Sequence, residues 1–220
     1  MRTMLLGHFG SGKTEVAIAC ALELAAGGER PLLLDLDVIT PYFRSRDPAR
    51  RLGELGVEVV APADEWSAAD LPLISGRTLT CLRSEPARSA VLDVGGDAGA
   101  KVIASLAHYL QPGSLRALVV VNPCRPNTRT VKQVIDTVRW AERLARVQIT
   151  GLVNNANLGA ETSVQTVRDG LQVVQAAASE LGIPVAFTAC RAELAAPLRA
   201  AGLTVLPLPL FMRPPWEDLP

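Results

Sequence analysis

At 220 residues, with 49% hydrophobic and 20% charged side chains, the chain has the make-up of one large folded domain, and its composition excludes a disordered polymer. Basic and acidic residues balance at 22 each, which argues against a general binder of nucleic acid or of an anionic membrane, whose affinity rests on clustered cations. No apolar stretch approaches the ~20 residues of a membrane-spanning helix. The first apolar run, Met4–Leu6, is too short for a signal-peptide core, and Cys20, Cys81, Cys124 and Cys190 stand far apart without a CxxC pair, as reduced thiols in a cytoplasmic protein do.

In chain order, short and almost continuously apolar runs occur at Thr3–Leu6, Leu32–Leu36, Val57–Val60, Val91–Val94, Leu118–Val121, Ile149–Val153 and Val185–Thr188. Runs of this kind are expected as strands covered on both faces, the signature of a parallel sheet. Between them the spacing changes to threes and fours. Residues 13–26 are apolar almost all round, as in a helix packed between layers, and a short helix is expected around 70–83. Residues 128–145 carry Val131, Val134, Ile135, Val138, Ala141 and Ala145 on one helical face. Residues 162–181 do the same with Val164, Val167, Leu171, Val174, Ala178 and Leu181, and Thr162 with Gln165 offers a capping box at the start. Strand–helix alternation implies an α/β, three-layer, doubly wound and mostly parallel sheet of about seven strands with right-handed crossovers. One domain is expected over 1–206. The proline-rich tail over 207–220 cannot be a helix and is expected as an extended strap on the protein's own surface.

The first strand runs into Gly7-His8-Phe9-Gly10-Ser11-Gly12-Lys13-Thr14, which matches GxxxxGK[ST] and opens the first helix. Composition alone gives this pattern roughly two times in a thousand chains, before the strand-then-helix context is required. Glycines let consecutive N–H groups curl into an anion nest, and the helix N-terminus adds partial positive charge. Lys13 is expected to reach the β- and γ-phosphates of a nucleotide and the Thr14 hydroxyl to ligate Mg²⁺. The expected nucleotide contacts are Gly7, Gly10, Ser11, Gly12, Lys13, Thr14 and Glu15.

Two acidic motifs stand at strand ends, where ligands of a parallel sheet bind. Asp35-Leu36-Asp37 ends the second run, and Asp93-Val94-Gly95-Gly96-Asp97 ends the fourth. The latter reads as a metal-holding Asp followed by a DxxG turn. Asp93 is expected to hold Mg²⁺ through a water, and the Gly96 amide to sense the γ-phosphate.

With the loop, the DxD directly on the second strand and the DxxG in place, the chain resembles the MinD/ParA/nitrogenase-iron-protein group of P-loop NTPases, and within it the CobQ/CobB/MinD/ParA-type nucleotide-binding proteins. LLLDLDVITPYFRSRD and VLDVGGD are the telling segments, and the resemblance spans most of residues 1–190. It implies Mg-dependent ATP chemistry in which Lys13 neutralises phosphate charge, Thr14 and Asp93 serve Mg²⁺, Asp35 supports the metal shell and Asp37 positions the attacking water. It places base reading at Asn154, with Asn122 as competitor. It also implies a homodimer and a protein client, although His8 and Phe9 replace the signature lysine and second glycine of the GKGGxGK[ST] pattern, through which relatives reach across a dimer. Arg44 and Arg46 are alternative cations in the switch I position. No NKxD stands at 154–157, which favours ATP over GTP.

Three functions remain open on the sequence: a slow ATPase switching a partner protein, an ATP-dependent small-molecule kinase or synthetase of the dethiobiotin-synthetase-like type with Arg44, Arg46 and Arg125 for an acidic substrate, and a nucleotide-binding interaction protein without turnover. Cys124 is expected to be an incidental thiol.

Overall fold

A computed structural model describes residues 2–36, 46–61, 76–84, 87–106 and 115–211. The first strand, β1 (Arg2–Leu6), leads through the glycine-rich loop to α1 (Lys13–Ala26). Then follow β2 (Leu32–Asp35), α2 (Arg46–Glu54), β3 (Glu58–Val60), α3 (Gly76–Ser84), β4 (Ala90–Asp93), α4 (Gly96–Leu106) and β5 (Leu115–Val121). The chain continues through α5 (Val131–Ala145), β6 (Gly151–Asn154), α6 (Val164–Leu181), β7 (Val185–Arg191), α7 (Ala192–Ala200) and β8 (Val205–Leu208).

The eight strands lie in the order β3-β2-β4-β1-β5-β6-β7-β8, and every pairing among them is parallel. Alternate residues of each strand feed opposite cores. Leu5, Leu33, Val91, Leu118 and Val120 pack with Val16, Ile18 and Ala21 of α1 and Leu52 of α2. Met4, Leu34, Leu92, Val119 and Leu152 pack against α3, α4, α5 and α6 on the other face. The fold is therefore a three-layer, doubly wound α/β sheet, fully parallel and one strand wider than the apolar runs suggest.

The extra strand is β8, which runs across the expected domain boundary at 206/207. Pro207 is tolerated there because β8 is an edge strand that needs to pair on one side only. Beyond it the chain is tied to the helices: the Phe211 N–H donates to Glu15 Oε2 at 3.1 Å, and the guanidinium of Arg51 sits 4.5 Å over the Phe211 ring. Residues 212–220 lie outside the described part.

Helix starts differ from expectation by one frame. α6 is capped by Ser163 with Thr166 rather than by Thr162 with Gln165, because Thr162 Oγ1 is engaged by Leu158 N–H and Gly159 O in the preceding 3₁₀ turn. α5 carries a full capping box between Thr130 and Gln133. The described part of the helix expected over 70–83 spans Gly76–Ser84. No helix among the described residues is long and apolar enough to cross a membrane.

Candidate nucleotide site

β1 is flanked by β4 on one side and β5 on the other, so the loop after β1 lies between the ends of both. Asp93 pairs in register with Leu5 and with Asp35. The lysine loop, the Asp93 turn and the Asp35 carboxylate therefore meet at one edge, the carboxyl ends of the strands.

Inside the loop the backbone forms a closed hook. The His8 carbonyl accepts both Ser11 N–H at 3.2 Å and Lys13 Nζ at 3.2 Å. Lys13 is 8% exposed, its ammonium turned back over the loop rather than out to solvent. Gly12 caps α1 in the left-handed region at φ 85, where an L side chain is strained. A Cβ there would also collide with Asn155 Nδ2, which donates to Ser11 O at 2.7 Å. Gly7, at φ 146, leaves no room either: its Cβ would lie 2.6 Å from Val120 O. Glycine at both ends is thus required by close backbone approach, and the loop is braced from β5 and from the turn after β6.

Thr14 Oγ1 donates to Asp93 Oδ2 at 2.6 Å. Asp93 and Asp35 are each 2% exposed. Hydroxyl and carboxylate oxygens are the ligands a hard cation such as Mg²⁺ takes, with waters and phosphate oxygens completing the shell. Among the described residues no group of three or more His, Cys, Asp or Glu side chains is placed to hold a metal ion by itself. The buried Ser11 Oγ has no hydrogen-bond partner among the described residues. Such an orphan hydroxyl inside a glycine-rich hook at a helix N-terminus fits a phosphate-bearing ligand.

Gly96, at φ 46, opens α4, with Asp97 exposed in its first turn. Glu15, in the first turn of α1, receives the Phe211 N–H. Asp37 and Arg44 lie outside the described residues. Arg46 opens α2, and its side chain lies outside them too.

The asparagines after β5 and β6 act inward. Asn154 is 0% exposed; its Nδ2 donates to Val167 O at 3.1 Å, and its Oδ1 accepts Ala156 N–H at 3.3 Å. Asn122, also 0% exposed, donates to Asn157 O at 3.2 Å and accepts the N–H groups of Cys124 and Asn157 at 3.1 Å each. Asn122 thus clips the two strand-end loops to each other, and Asn154 ties the end of β6 to α6.

The partner of His8 carries no clear sequence signal. The His8 ring stacks on Trp140 of α5, centroids 4.7 Å apart and planes at 26°. Trp140 lies off the apolar stripe of its helix, so periodicity does not single it out. Phe9 projects from the loop at 86% exposure. Arg125 lies against Gly10, its Nε 3.7 Å from where a Cβ would stand. His8, Phe9, Arg125 and Thr128 help line a cavity of about 250 Å³ beside the loop.

Burial and the neighbouring Lys13 ammonium push the His8 imidazole below 6.5, with Asp97 pulling the other way. Burial raises the Cys20 thiol to about 12 and Cys190 to about 11.

No family model matches the chain, and no curated protein matches it. Solved structures do. FtsY from Mycoplasma mycoides superposes with a TM-score of 0.58 at 15% identity, over 86% of this chain and 59% of that one. The signal recognition particle receptor FtsY from Elizabethkingia anophelis in complex with GDP gives 0.54 at 19% identity, over 86% and 56%. A nucleotide-binding protein from Archaeoglobus fulgidus in complex with ADP gives 0.51 at 17%, over 99% and 90%. The chain spans less than two thirds of the FtsY chains it matches. At these identities the likeness establishes the fold, that of the P-loop NTPases.

Proposed function

We propose that the chain binds ATP with Mg²⁺ on the Gly7–Thr14 loop and hydrolyses it slowly as a nucleotide switch for a partner protein. The observation that carries this reading is the loop itself: a left-handed Gly12 capping α1, Lys13 folded over the hook, and the Thr14 hydroxyl bonded to Asp93 at 2.6 Å. Gly10 and Gly12 would hold phosphate through backbone N–H groups and Ser11 through its unpartnered hydroxyl, with Glu15 following in the first turn of α1. Thr14, Asp93 and Asp35 would hold Mg²⁺, which supplies charge neutralisation on the phosphates. Asp37 would orient water, and Gly96, heading α4, would sense the terminal phosphate. Both nucleotide-bound neighbours, one with ADP and one with GDP, support binding of a purine nucleotide. The preference for adenine rests on the missing NKxD at 154–157. Base contact by Asn154 would require its amide to leave Val167.

The domain over 1–206 would act as a unit, with the following segment strapped to α1 and α2 through Phe211. A homodimer by way of a signature lysine is not part of this reading, because His8 faces Trp140 of its own chain. A kinase-type reading is favoured by one observation, the cavity of about 250 Å³ between the loop and residues 125–128. It would place an anionic acceptor beside Arg125. Phosphate release from Mg-ATP, measured with and without small carboxylate acceptors and with Lys13→Ala as control, tests both. Acceptor-independent turnover lost in Lys13→Ala supports the switch, and acceptor-dependent ADP formation supports the kinase. Turnover unchanged in Lys13→Ala refutes both.

A further inference from the structure

The His8 carbonyl is the hub of the loop. It receives Ser11 N–H and Lys13 Nζ, both at 3.2 Å, so its place decides where the Lys13 ammonium stands. What holds His8 itself is its ring, stacked at 4.7 Å on Trp140. Trp140 is anchored in turn, half-buried against the core formed by α4, α5 and α6. The chain of contact runs from the core through Trp140 and His8 to Lys13, without a second molecule.

We propose that Trp140 is a positioning residue for the nucleotide site: its stack with His8 braces the first limb of the loop from within the chain and thereby aims Lys13 at the phosphates. The inference rests on the phosphate-loop reading above and extends it to a residue on a helix that contributes no phosphate ligand. It has a consequence for assembly. The position that would send a lysine across a dimer is here held in cis, so a monomer carries a complete phosphate-binding hook.

An aromatic pair is worth about 0.5–1.5 kcal/mol beyond its buried area, roughly a 2- to 10-fold change in an equilibrium. His8→Ala and Trp140→Ala are each expected to weaken ADP binding, measured by calorimetry with Mg²⁺ on the full chain, by about 2- to 10-fold. The double variant is expected to be no weaker than the weaker single variant. Trp140→Phe, which keeps a stacking ring, is expected to stay within about 2-fold of the unchanged protein.

Simple loss of packing at Trp140 would lower the melting temperature without this non-additivity and without rescue by Phe. A second readout needs no ligand. Hydrogen exchange of the Ser11 amide is expected to speed up in His8→Ala and Trp140→Ala and to stay slow in Trp140→Phe. Additive effects of the two alanines on ADP affinity, or unchanged Ser11 exchange in both, would overturn the proposal. Should the unchanged protein bind no ADP, the nucleotide reading fails, while the exchange experiment still decides the brace.

Discussion

Gly12→Ala puts a methyl group where the structure leaves space for none. Two costs are expected. The first is conformational: an L residue at φ 85 pays about 1–2 kcal/mol, offset in part by the ~0.4–1 kcal/mol that Gly→Ala takes from unfolded-state entropy. The second is local. The new Cβ displaces the Asn155 amide and breaks its 2.7 Å bond to Ser11 O, leaving buried polar groups unpaired at about 1–3 kcal/mol. Gly28→Ala isolates the first cost, since Gly28 has the same φ of 85 and nothing within 4 Å of its Cβ position. Chemical denaturation without ligand should therefore show Gly12→Ala less stable than Gly28→Ala by about 1–3 kcal/mol, or about 2–10 °C in a melt. Equal destabilisation of the two variants would mean that Asn155 does not brace the loop, and the account of why glycine stands at position 12 would fall.

Three further outcomes follow from the same geometry. Asp93→Asn should lower the Mg²⁺-dependent part of ADP affinity by about 10- to 100-fold while changing metal-free affinity little; an unchanged metal dependence would remove Asp93 from the Mg²⁺ shell. The His8 imidazole should titrate below 6.5. As pH falls the unfolded chain then takes up its proton first, so the His8 contribution to stability is complete above 6.5 and is lost as pH drops through the folded value. The stability difference between the protein and His8→Phe should shrink over that range, and a pH-independent difference would contradict the shift. Under native conditions near neutral pH, iodoacetamide should modify Cys124, whose thiol burial raises but the Asn157 backbone, Arg125 and Arg129 pull back, before Cys20 or Cys190, whose thiols are held up at about 12 and 11 and so carry little thiolate; mass spectrometry of the labelled protein reads the order.

Much of the architecture could be read in advance because each strand, covered on both faces, writes itself as a continuous apolar run. β1, β2, β4 and β5 fall within a residue or two of such runs at their carboxyl ends. β8 escaped because Val205–Leu208 contains a proline, and an edge strand needs few ladder bonds. The loop at Gly7–Thr14 was legible as a glycine-rich turn from β1 into α1, because close backbone approach at Gly7 and Gly12 admits no side chain there. Its supports were not. Asn155 and Trp140 meet the loop from 144 and 132 positions away in the chain, and no local pattern encodes such contacts. Asn154 and Asn122 show the converse. An Asn at a strand end looks available to a ligand in the sequence, whereas here both amides are spent on backbone groups, that of Asn154 on groups in α6 and its own turn and that of Asn122 on groups in the loops after β5 and β6.

The central claim is that the Gly7–Thr14 hook holds a nucleotide phosphate chain. The most direct measurement is calorimetric titration of the protein with ADP and, separately, GDP in the presence of Mg²⁺, beside Lys13→Ala. Saturable binding of ADP, tighter than GDP and lost in Lys13→Ala, is the predicted result. No saturable binding of either nucleotide, or binding that Lys13→Ala leaves intact, would contradict the account.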